Sequence, residues 1–165
     1  MQLAWIEDSL PGPSAVDSLH GPSGPGVQGE GPTLADLAAV GVLYERLPDD
    51  DFQGALDRLK AARGYVAQDV IELRPDTPNL DGLLAKFKDE HLHRDDEVRF
   101  VLDGEGIFDI RGADERWIRV QVERGDLIVV PADLYHRFFL TERRQIRCVR
   151  LFKDAAGWVP EYRAS

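Results

Sequence analysis

The chain has 165 residues, 43% of them hydrophobic and 30% charged, with a formal net charge of -10. That length buries a proper core and suits one domain, residues 1–165. The acidic balance argues against nucleic acid and against an anionic membrane surface as partners, and no apolar run approaches the roughly 20 residues of a membrane span.

Residues Met1 to Asp8 carry neither the basic nor the apolar region of a secretion signal. The one cysteine, Cys148, cannot form an internal disulfide, so the expected compartment is the reducing cytoplasm. Set among Ile146, Val149 and Leu151, it reads as a small buried side chain rather than a nucleophile.

In chain order, residues 3–6 form a short edge strand. Residues 11–32 hold five prolines and six glycines, which marks an irregular surface loop with a solvated His20. Thr33 caps a helix from Leu34 to Val40 that stops at Gly41. Val42 to Arg46 reads as a strand. Phe52, Ala55, Leu56, Leu59 and Ala62 follow helical spacing after the acids at 49–51, and Gly64 ends that helix. Tyr65 to Leu73 reads as a strand, and Thr77-Pro78 opens a helix with Leu80, Leu83, Leu84 and Phe87 toward the core.

From Glu90 onward the texture changes. Short segments recur at intervals of about 8–12 residues: Val98 to Leu102, Ile107 to Arg111, Trp117 to Val122, Leu127 to Val130, Arg137 to Thr141 and Ile146 to Phe152. This implies an all-β sandwich or barrel. Asp103-Gly104-Glu105-Gly106 reads as a hairpin turn. The chain is therefore mainly β, with flanking strands and helices over 1–88 and a sandwich or barrel core over 89–152.

The chemistry concentrates in residues 89–104. His91, His93 and Glu97 share one parity, so all three point the same way if the segment stays extended. A turn or bulge at Arg94-Asp95-Asp96 would weaken that expectation. Arg99 and Val101 continue the parity, which places a cation just beyond. His136 follows a Pro131-containing turn and shares a face with Phe138 and Leu140. His91, His93, Glu97 and His136 together are expected to bind a divalent metal, because imidazoles and a carboxylate suit iron, nickel, manganese or cobalt, while structural zinc would favour thiolates.

Four protein ligands leave two positions for a substrate chelating through two oxygens, or for one oxygen plus dioxygen. A divalent ion with the Glu97 carboxylate leaves roughly one positive charge, and Arg99 raises this to about two, which favours a small dianion. A structural ion pair of Arg99 with Asp96 or Asp103 is the alternative. Phe87 and Phe138 read as an apolar wall of the pocket or as plain core. Glu90 reads as a hydrogen-bond partner of a ligand histidine or as a solvated carboxylate.

Residues 91–104, His-Leu-His-Arg-Asp-Asp-Glu followed after six residues by Gly, resemble the first cupin motif, and Gly125-x5-Pro131 followed by His136 resembles the second. More narrowly, Lys86 to His93, Glu97 to Gly104 and Pro131 to Phe138 resemble the acireductone dioxygenases. The likeness extends to Gly41-Val42-Leu43-Tyr44, Arg63-Gly64-Tyr65 and Arg150-Leu151-Phe152. Asp133 stands where a general cupin has Gly, and Leu140 where it often has Asn.

The resemblance implies a cupin jelly-roll barrel with flanking N-terminal helices. It implies one Fe(II) or Ni(II) per chain on His91, His93, Glu97 and His136. The implied substrates are O2 and the acireductone 1,2-dihydroxy-3-keto-5-(methylthio)pent-1-ene of methionine salvage. The iron form would give 2-oxo-4-methylthiobutanoate and formate, and the nickel form 3-methylthiopropanoate, formate and carbon monoxide. By the same analogy Arg99 generates and holds the substrate dianion, Glu90 aids metal incorporation and Asp96 relays local conformational change. The expected state is a monomer. The competing expectation is a cupin that binds or isomerises a small anionic metabolite without oxygenase activity.

Overall fold

The computed structural model describes residues 2–6, 32–48, 50–88, 91–93, 95–113, 116–153 and 160–162, and of these only the backbone at 6, 86–88, 91–93 and 160–162. The Pro/Gly-rich loop and His20 lie outside the described residues, as do Glu90 and the side chains of Phe87, His91, His93 and Tyr162.

Strand β1 (Gln2–Ile6) leads, then helix α1 (Leu34–Ala39), β2 (Leu43–Arg46), α2 (Phe52–Arg63), β3 (Ala67–Leu73) and α3 (Leu80–Lys88). The remaining elements are strands: β4 (His91–His93), β5 (Glu97–Arg111), β6 (Trp117–Glu123), β7 (Asp126–Val130), β8 (His136–Leu140), β9 (Ile146–Phe152) and β10 (Pro160–Tyr162). The chain is thus mainly β, and the sheet curls on itself as a cupin barrel.

Strand β5 organises the barrel because it belongs to both walls. Its first half pairs with β7 and β9, and its second half with β6 and β8. Parity does the rest. Val101, Phe108, Ile110, Ile128, Val130, Phe138 and Ile146 fill the interior. Val98, Phe100, Leu127, Val129, Val149 and Leu151 face the opposite way and are covered by Leu56 and Phe52 of α2. The Phe52 and Phe100 rings stack at 5.1 Å. With both faces covered, the strands read as near-continuous apolar runs rather than strict alternations.

Helix α1 begins as the sequence suggests: the Asp36 carboxylate accepts from the Thr33 backbone N–H at 2.7 Å and from its hydroxyl at 3.2 Å. Gly64 closes α2 in the left-handed region at φ +78°. Two expectations fail. Helix α3 starts at Leu80 rather than at Pro78, because Thr77 caps Arg74 N–H through its hydroxyl at 2.8 Å and Asn79 turns left-handed at φ +56°, which a helix start at Pro78 cannot accommodate.

Residues 103–106 are not a hairpin turn. The segments on either side pair with different strands, not with each other, and the chain runs through as one bent strand with a register shift between Val101 and Asp103. The glycines there answer to close approach. A Cβ on Gly104, at φ +78°, would lie 2.3 Å from the Gln145 carbonyl oxygen, and one on Gly106 would lie 2.9 Å from the Phe138 ring.

Candidate metal centre

The segment from His91 to Glu97 does not stay extended. It bends at Asp95, and its two ends belong to different walls. His91 pairs with His136 across β4 and β8, whereas Glu97 pairs with Val130 across β5 and β7. The common parity of 91, 93 and 97 is therefore not what relates them. The turn carries the chain from one wall to the other, and His91, His93, Glu97 and His136 come from three strands around one end of the barrel.

Glu97 and His136 meet inside. Each is almost fully buried, 3% and 1% exposed, and His136 Nε2 lies 2.7 Å from Glu97 Oε2. The other ring nitrogen, Nδ1, is 2.8 Å from the Leu134 carbonyl oxygen. A carbonyl only accepts, so Nδ1 carries the proton and Nε2 presents its lone pair to the carboxylate. Two lone pairs facing each other in a dry site repel unless a cation lies between them. A proton on Nε2 or a metal ion satisfies that need. Neighbouring donors of an octahedral shell with bonds of about 2.1 Å are about 3.0 Å apart, close to what is seen here. Glu97 and His136 could thus share an ion. Among the described residues no third His, Cys, Asp or Glu joins them, and the side chains of His91 and His93 lie outside the described residues.

Arg99 is 1% exposed, and its carboxylate partner is Glu97 rather than Asp96 or Asp103. Its Nε donates to Glu97 Oε1 at 2.8 Å. The guanidinium carbon sits 4.7 Å from the centre of the Phe138 ring and 5.9 Å from that of Phe108. Burial alone would lower the Arg99 pKa; the adjacent Glu97 carboxylate, together with Cys148, more than reverses this and raises it. Phe138, 1% exposed, is a wall of the Arg99 site and part of the core at once, its ring 5.0 Å from that of Phe108.

Asp96 faces away from this pair and gathers a different set of groups. Its Oδ2 accepts from the Tyr65 hydroxyl at 2.7 Å and from Arg63 at 3.5 Å, and its Oδ1 from the Ala132 backbone N–H at 3.0 Å. Lys153 Nζ is 3.9 Å away. Burial would raise the Asp96 pKa, but the Tyr65 hydroxyl, the Ala132 amide, Lys153 and Arg63 outweigh it and lower it. Asp96 therefore ties the end of α2 to the turn that precedes His136. Asp133 in that turn adopts φ +65°, a conformation that Gly and Asp both tolerate.

Cys148 and Tyr65 escaped the sequence reading as site neighbours. Cys148 accepts from Arg99 Nη1 at 3.7 Å, and nothing in the local pattern of β9 points to this, because the contact spans 49 residues. Tyr65 carried a weak signal, as an aromatic with a hydroxyl just after the glycine that ends α2.

Residues 29–160 match the model of the ARD/ARD' family. Over 128 residues the chain is 50% identical to an acireductone dioxygenase of Heterostelium pallidum, covering 78% of this chain and 88% of that one. An acireductone dioxygenase of Sulfurihydrogenibium is 44% identical over 148 residues, covering 76% and 82%. A solved acireductone dioxygenase from Bacillus anthracis, with a cadmium ion in its active centre, superposes with a TM-score of 0.71 at 42% identity, covering 76% of this chain and 86% of that one. The family match takes in both histidine-bearing stretches together with the helices and strands that brace them, and the chain belongs to the acireductone dioxygenase family.

Proposed function

We propose that this chain cleaves the acireductone 1,2-dihydroxy-3-keto-5-(methylthio)pent-1-ene with O2 on a divalent ion held by His91, His93, Glu97 and His136. The observation that carries this reading is the buried approach of His136 Nε2 to Glu97 Oε2 at 2.7 Å beside the Arg99 cation. Family membership and the cadmium-bound relative support a divalent metal. The ion is Fe(II) or Ni(II), one per chain. With iron the products are 2-oxo-4-methylthiobutanoate and formate; with nickel they are 3-methylthiopropanoate, formate and carbon monoxide.

The bound ion supplies Lewis-acid polarisation of chelating substrate oxygens. The rest falls to the chain. Leu134, by accepting from Nδ1, fixes the His136 ring so that Nε2 is the available donor. Arg99 occupies Glu97 Oε1, which leaves Oε2 facing His136. Arg99 also brings a full positive charge into a low-dielectric pocket, where it favours the ionised enol over its neutral form and orients the dianion. Phe138 holds the guanidinium plane from one side and excludes water. Asp96 holds the His136 turn in place through Ala132, and Glu90 assists metal loading. Phe87 is proposed as a further substrate-binding residue.

Net charge -10 speaks against nucleic-acid and anionic-membrane partners, and the single cysteine suits the reducing cytoplasm; the proposed state is a monomer. Among the described residues no helix is long and apolar enough to cross a membrane. The test is oxygen uptake by iron- and nickel-loaded protein given acireductone, with carbon monoxide assayed in parallel. Uptake with both metals, and carbon monoxide with nickel alone, is expected. Tight acireductone binding without oxygen uptake would establish the non-oxygenase reading instead.

A further inference from the structure

Arg99 is held by unlike groups. Glu97 takes its Nε at 2.8 Å, and the Phe138 and Phe108 rings lie against the guanidinium carbon at 4.7 and 5.9 Å. The Nη1 arm reaches diagonally to the neighbouring strand β9, to a side chain with no formal charge, the sulfur of Cys148, at 3.7 Å. Cys148 is fully buried, at 0% exposure, on β9 opposite Val101. An arginine on a β-strand has many rotamers, and one that must meet a substrate anion gains from having its fork aimed beforehand.

We propose that Cys148 is a positioning residue for the dioxygenase reaction, a neutral acceptor that aims the Arg99 guanidinium toward the substrate anion. The proposal rests on the function argued above. Neutrality is the physical point. A second carboxylate at this position would orient Nη1 more strongly, but it would cancel the charge the anion needs, since Glu97 already takes one share of it. Burial pushes the Cys148 thiol up, so it stays protonated and uncharged at neutral pH even beside Arg99. A sulfur is a weak acceptor, so it sets a direction without binding the guanidinium so firmly that the arm cannot turn to substrate.

The alternative role for Cys148 is to fill space in the barrel, and substitutions of similar size separate the two. Cys148→Val fills the volume without an acceptor; Cys148→Ser keeps an acceptor in nearly the same place. The wild-type protein, loaded with iron, first has to consume oxygen with acireductone; if it does not, the function proposed above fails and the variants are not at issue. Given that activity, C148V is expected to lose about tenfold in kcat/KM while its metal content and melting temperature stay close to wild type, and C148S is expected to keep at least half the wild-type value. Cys148→Ala, smaller than either, guards against a misfolded valine variant: it should show the same kinetic loss at temperatures well below its melting point. Wild-type turnover in C148V or in C148A, or a loss in C148S as large as in C148V, overturns the proposal and leaves Cys148 a core residue.

Discussion

Glu97 and His136 are 39 residues apart in the chain, yet one carboxylate oxygen of the first lies 2.7 Å from Nε2 of the second, in a site almost closed to solvent. A carboxylate and an imidazole lone pair kept that close need a positive charge between them. Glu97→Gln removes the anion, and His136→Ala removes the nitrogen. Each is expected to lower bound iron or nickel from about one ion per chain to near background, because divalent ions need the deprotonated donors in place. Metal analysis after dialysis checks this; full metal occupancy in both variants would show that the ion sits elsewhere.

Arg99→Lys keeps the charge but loses the planar fork that bonds Glu97 and Cys148 and stacks on Phe138. The variant is expected to hold its metal and to lose about 100-fold in kcat/KM, equivalent to about 2.7 kcal/mol of transition-state stabilisation. Steady-state kinetics beside metal analysis separates the two effects.

Tyr65→Phe deletes the hydroxyl that donates to Asp96 at 2.7 Å. The half-buried carboxylate keeps Ala132, Arg63 and Lys153 as partners, so the cost is that of one hydrogen bond, about 1 kcal/mol of unfolding free energy. Denaturant unfolding measures it. A loss of turnover well beyond that of a mildly destabilised protein would place Tyr65 in the positioning of the His136 turn.

Tyr44 donates to the buried Asp126 at 2.6 Å, and its pKa is pushed up to about 12, chiefly by burial and then by the Asp126 bond. The folded state thus binds the phenolic proton more tightly than the unfolded chain does. The resulting stability is present in full below the ordinary tyrosine value of about 10, and it is lost as pH rises through the folded value. Melting temperatures from pH 9 to 12 are expected to fall less steeply in Tyr44→Phe than in wild type.

Gly104→Ala puts a methyl group 2.3 Å from the Gln145 carbonyl oxygen on a backbone with φ +78°. Left-handed strain and the clash with backbone together are expected to cost about 2–3 kcal/mol. An unfolding curve like that of wild type would mean that β5 can straighten at its bend.

Much of the fold was legible because it rests on local rules. Strand segments at short intervals, Gly64 after a helical stripe and Thr33 before α1 each need only their neighbours in sequence. The hairpin at 103–106 was misread for the same reason. Gly-x-Gly between two apolar runs has the signature of a turn, but whether it turns or passes straight through depends on which strands lie alongside, and residues 97–104 and 105–111 find partners in different walls. The start of α3 shifted because the Thr77 hydroxyl and the left-handed Asn79 form a turn that propensity alone does not resolve.

By itself the sequence determined the class of the fold, the family, and which residue types are available to a metal, because periodicity and motif spacing are properties of the chain. It also placed Arg99 on the inward face, since parity on a strand is local. Only the tertiary structure decided who meets whom: Glu97 with His136 and Arg99, Arg99 with Cys148 and Phe138, Asp96 with Tyr65 and Ala132. Those pairings depend on how the two walls of the barrel close around β5, and closure is set by the packing of side chains far apart in the chain rather than by any stretch of it.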